Sequence, residues 1–100
     1  MAFEHLALLG KVREALRIVH TYLDDELVDD IDACLADLAM CGVYVQPAQE
    51  LDSLVVNAVK LWCLAIHADD LHDRDQYQSR YDALKGSLMI SGKYGVPPNV

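Results

Sequence analysis

Five residues of the stretch His67, Asp69, Asp70, His72 and Asp73 are of the types that bind divalent metals or carry protons. Their spacing is wrong for a zincin-type helix. That chemistry needs histidines four apart on one face, whereas His67 and His72 stand five apart across an expected helix end. No Cys-X-X-Cys pair and no Cys–His spacing of zinc-finger type accompanies them. The stretch therefore reads as a solvated turn rich in helix-capping side chains, and no metal is expected. Cys34 and Cys41, seven apart on one expected helix, would have Cα atoms roughly 10 Å apart, too far for a disulfide. Cys63 falls in an apolar run, so all three thiols are expected to be buried and inert. Nothing in their positions nominates His5, His20 or His67 as a base for a nucleophile. Gly92-Lys93-Tyr94-Gly95 lacks the spacing of a phosphate loop, and hydrolase elbows and dinucleotide fingerprints are absent. The chemistry excludes more than it offers: no enzyme and no cofactor are expected.

The elements that must position these residues are helical. Strand-like alternation is confined to Val43-Tyr44-Val45, and strong breakers are few until the C-terminal end. The first helix is expected from about Phe3 to Ile18, with an apolar stripe through Leu6, Leu9, Val12 and Leu16. Gly10 inside it costs about 1 kcal/mol relative to Ala. The second is expected from Tyr22 to Cys41, capped by Thr21 and closed by Gly42 in the left-handed conformation. Its buried stripe is Leu23, Leu27, Ile31, Cys34 or Leu35, and Leu38. After a loop interrupted by Pro47, Asp52 or Ser53 caps a third helix reaching Ala68. Twelve of the fifteen residues from Leu54 to Ala68 are apolar, so this helix is either the centre of a core or packed against another subunit. One hundred residues are too few to wrap it fully, which favours some burial between subunits. Val55, Val59, Trp62 and Ile66 are the expected interface. A fourth helix, capped by Asp73, runs to about Ile90 with Tyr77, Tyr81, Leu84 and Leu88 on its core face. The fold class is thus an all-α, compact four-helix single domain over 1–91, with a mobile Gly/Pro-containing tail over 92–100.

Charge narrows the partners. Sixteen acidic residues against eight basic ones give a net charge of -8, which argues against coating DNA, because phosphate affinity comes from Lys and Arg. Six of the nine residues from Asp24 to Asp32 are acidic, and Asp25, Asp29 and Asp32 form an outward face. Such a face is a solvated surface, a DNA mimic, or a wall along which DNA slides without sticking. No apolar run is long enough to span a membrane, and the N-terminal residues lack the pattern of a signal peptide. With three irregularly spaced cysteines, a reducing compartment is expected.

In order and spacing, several strings taken together look familiar. They are Leu8-Leu9, Lys11-Val12, Glu14-Ala15-Leu16-Arg17-Ile18, Asp24-Asp25-Glu26-Leu27 and Ile31-Asp32-Ala33. Leu35-Ala36-Asp37-Leu38, Gly42-Val43, Asp52-Ser53-Leu54 and Ala58-Val59-Lys60 follow, and the series closes with Tyr81, Leu84-Lys85, Leu88 and Ser91-Gly92-Lys93-Tyr94. This succession, over about 6 to 95, resembles the small head–tail connector proteins of long-tailed bacteriophages, often labelled DNA-packaging proteins. The resemblance implies an all-helical adaptor that assembles into a ring, dodecameric in expectation, beneath the portal protein. The ring would extend the DNA channel without specific DNA binding and dock the head-closure or tail-completion protein. It implies a place in the virion at the head–tail interface, after assembly in the host cytoplasm. On this reading the tail is an arm, and Lys93, Tyr94 and Val96 are expected to contact the portal or a neighbouring copy. Removing Ser91 to Val100 should then spare the fold, whereas Trp62→Asp or Ile66→Asp should abolish assembly or folding. The alternative is a small acidic interaction protein, such as a DNA mimic seated in a partner's basic groove.

Overall fold

The most apolar segment becomes the centre of the molecule. In a computed structural model that describes residues 5–17 and 23–95, α3 (Ser53–His67) packs against each of the other helices. These are α1 (Leu6–Leu16), α2 (Asp24–Met40) and α4 (Leu71–Ser91), with a short 3-10 turn at Pro47–Gln49 before α3. No strand occurs among the described residues. The chain is an all-α single domain about 19 Å deep in its thinnest direction, which is the depth of two helix layers.

Each helix buries a stripe, and the stripes meet on α3. Leu27, Ile31, Cys34 and Leu38 of α2 are fully enclosed, following the expected i, i+4, i+7 spacing. On α1 the buried residues are Leu8, Leu9 and Val12, while Leu6 is 65% exposed. The expected stripe is therefore rotated: three leucines near the start of α1 offered competing faces, and contact with α3 selected Leu8. Arg13 clamps α1 to the start of α2, with Nε and Nη2 at 2.9 and 2.5 Å from the two carboxylate oxygens of Asp24. Leu23 stands at the cap position of α2 and makes no side-chain cap bond; the expected cap, Thr21, lies outside the described residues. At the other end Gly42 adopts φ +85°, where a Cβ would be strained. This lets the Val43 N–H return to the Leu38 carbonyl at 2.8 Å and seats Val43 in the core.

Val55, Val56, Ala58, Val59, Cys63 and Ala65 of α3 are all buried within the chain itself. Val55 and Val59, at 0% exposure, are therefore core residues and offer no surface to a second subunit. The other three helices wrap the central one more fully than its composition suggested. Asp70, not Asp73, caps α4 by accepting from the His72 N–H at 2.9 Å, so α4 begins three residues earlier than expected. Gly92 at φ +73° ends it.

The start of the expected tail is not free. Tyr94 is 3% exposed, its carbonyl accepts the Tyr44 N–H at 2.6 Å, and its hydroxyl donates to Asp52 at 2.8 Å. Lys93 Nζ binds the same Asp52 oxygen at 2.7 Å. Residues 92–95 thus close the loop before α3, and Val96 lies outside the described residues.

Candidate interaction surface

α4 lies in a seam against α3 and leaves a groove on each side of it. The first groove, about 420 Å³, is lined by Asp37 of α2, Trp62 and Ile66 of α3, and Gln78, Tyr81 and Lys85 of α4. Its floor is a junction between helices. The Tyr81 hydroxyl donates to Asp37 at 2.7 Å, Lys85 Nζ binds the same carboxylate at 3.1 Å, and the Cys34 thiol faces the Tyr81 oxygen at 3.9 Å. The Trp62 ring meets Tyr81 edge-on, with centroids 5.2 Å apart. Burial pushes the Tyr81 hydroxyl up, and acceptance of its proton by Asp37 adds to that. Burial opposes the Asp37 carboxylate too, but the bonds from Tyr81 and Lys85 outweigh it and hold the carboxyl below its usual range. Burial also pushes the Cys34 thiol up to about 12, against the small opposing effect of the Tyr81 bond. A thiol held protonated in this way is no nucleophile. The junction ties α2 to α4.

The described histidines are occupied elsewhere, and His20 lies outside the described residues. His67 Nε2 lies 2.8 Å from Asp30 on α2, and His5 pairs with Glu50. His72 contacts Gln76 one turn along α4, so His67 and His72 face different partners. No group of three His, Cys, Asp or Glu side chains poised around a metal site is found among the described residues.

The acidic run of α2 divides by partner. Asp24 and Asp30 are spent on Arg13 and His67. Asp25, Glu26, Asp29 and Asp32 are exposed, as the helical spacing requires. Among the expected interface residues on α3, Trp62 is half-buried against Tyr81 and Ile66 is 47% exposed. Lys93 and Tyr94 are committed to Asp52, whose carboxyl is held below its usual range by the bonds from Lys93 and Tyr94.

The second groove was not foreseen. It is about 580 Å³ and shallow, with Leu61, Leu64, Ala83 and Leu84 as its apolar floor and Lys60 and Arg80 at its edges. Lys60 is one of the few polar residues of α3. What it flanks depends on the register of α4 against α3, which the hydrophobic period of either helix alone does not specify. Several large apolar side chains also remain in the open, among them Met40 at 87% and Ile90 at 86%. No described helix is long and apolar enough to cross a membrane.

No family of known proteins, no curated protein and no solved structure matches this chain.

Proposed function

We propose that this chain is a ring-forming adaptor subunit of the head–tail connector type. It would assemble beneath a portal, extend a DNA channel and offer a docking surface for head-closure or tail proteins. One observation carries the reading: after the core is complete, an open apolar groove between α3 and α4 and exposed side chains such as Met40 remain on the surface. An apolar groove edged by polar side chains is the kind of surface on which another protein can sit. The succession of residues from 6 to 95 that resembles the connector proteins supplies the kind of assembly. The net charge of -8 suits a conduit for DNA, since like charge keeps the polymer from adhering.

Sedimentation velocity tests the proposal, run on the protein alone over a wide concentration range and on a mixture with its portal. Association is expected in at least one arm. A species that stays monomeric in both removes the proposal. The exposed acids Asp25, Glu26, Asp29 and Asp32 also suit a DNA mimic. That reading predicts a monomer that binds a basic DNA-binding protein and is displaced by DNA.

A further inference from the structure

We propose that the α3/α4 groove receives the outer face of α2 from a second copy of the chain, in a head-to-tail contact. The inference rests on the assembly reading and deepens it by naming both surfaces.

The groove selects its occupant by charge. In a chain with twice as many acids as bases, its lining holds Lys60 and Arg80 and not one carboxylate. Arg13, Lys85 and Lys93 are paired within the chain; Lys60 and Arg80, like Lys11, Arg17 and Arg74, have no ion-pair partner among the described residues, and of these five only Lys60 and Arg80 line the groove. The fitting occupant is a helix with acids at one end and small or apolar residues at the other. The outer face of α2 has that character. Asp25, Asp29, Asp32, Ala36 and Met40 fall within a wedge of about 80°, opposite the buried Leu27, Ile31, Cys34 and Leu38, and all five are exposed.

The lengths agree as well. From Asp29 to Met40 is about 16 Å along a helix, and from Leu64 to Leu54 about 15 Å. Arg80 flanks the groove near Leu64, with Lys60 one turn nearer Leu54. Setting Asp29 and Asp32 against Arg80 and Lys60 therefore runs the visiting α2 antiparallel to α3. It lays Ala36 level with Asn57 and Ser87, the polar end of the groove lining, and brings Met40 to Leu54, itself 42% exposed. Donor face and acceptor groove are different surfaces of one molecule. Such a heterologous contact repeats from copy to copy and closes as a ring where the rotation permits.

A charge swap tests the contact on the full chain, followed by sedimentation alone and with the portal. Lys60→Glu/Arg80→Glu and Asp29→Lys/Asp32→Lys each set like charge against like charge, and each is expected to weaken self-association by roughly tenfold or more. An equimolar mixture of the two variants restores opposite charges at both contacts and is expected to recover assembly. Circular dichroism melts identify a variant that does not fold. A crosslink then provides the second measurement. With Cys41→Ser, Ala36→Cys on one copy and Ala83→Cys on another should join through a short bismaleimide. Wild-type association that survives both reversals, a mixture that stays apart, or absence of the crosslink would overturn the contact and leave the adaptor reading standing. A wild-type chain that never associates would overturn both.

Discussion

Tyr81 touches three helices through one side chain. Its ring lies against Trp62, its hydroxyl holds Asp37, and Lys85 sits 5.3 Å from its centroid. Tyr81→Phe keeps the ring and loses the bond to a carboxylate, a loss of about 1–2 kcal/mol measurable by urea unfolding. Because the folded Asp37 carboxyl lies below its unfolded value, its contribution is complete above the ordinary carboxylate range. It is lost as pH falls through the folded value. Asp37→Asn should therefore lower stability at neutral pH and flatten the acid side of the stability–pH curve below about pH 4. The cysteines give an independent check on burial. Cys34 and Cys63 are enclosed and their thiols pushed up by burial, whereas Cys41 is half-exposed. In native protein at neutral pH, Cys41 should react with a thiol reagent while the other two react only on unfolding. Rapid labelling of Cys34 would contradict the packing of α2.

Helix ends and glycines decide stability at the next scale. A Cβ at Gly10 of α1 or Gly86 of α4 would meet nothing within 4 Å, so Gly10→Ala and Gly86→Ala should each stabilise the fold by up to about 1 kcal/mol. Gly92→Ala should do the opposite, because that position holds φ +73°. Calorimetric melts of the three variants would show both signs. Tyr94→Ala empties a buried site and should cost about 3 kcal/mol, and removing Ser91 to Val100 should destabilise the fold rather than spare it. The α2 stripe was legible because its apolar residues recur at helical spacing and acids occupy the opposite face, with only the choice between Cys34 and Leu35 left to packing. On α1, adjacent leucines left the face to tertiary contact. Asp70 and Asp73 are chemically equivalent caps, and backbone geometry chose the first. The fastening of Tyr94 was hidden because Gly and Pro mark where a helix stops, not where a following aromatic lodges.

At the scale of the molecule, the core is complete without a partner and the surface is not. Trp62→Asp would replace the ring packed on Tyr81 by a carboxylate at a half-buried position and should lower stability strongly, whereas Ile66→Asp, at a site 47% exposed, should keep the fold with a melting temperature lowered by only a few degrees. Fluorescence of the single tryptophan follows the Ile66 variant directly. Val55 and Val59 are core residues, so the proposed subunit boundary lies instead at the groove that Lys60 and Arg80 line. Negative-stain microscopy of concentrated protein, alone and on its portal, tests the central claim most directly. Closed rings of uniform diameter are the predicted image. Dispersed single particles in both preparations, with the portal bare, would contradict it.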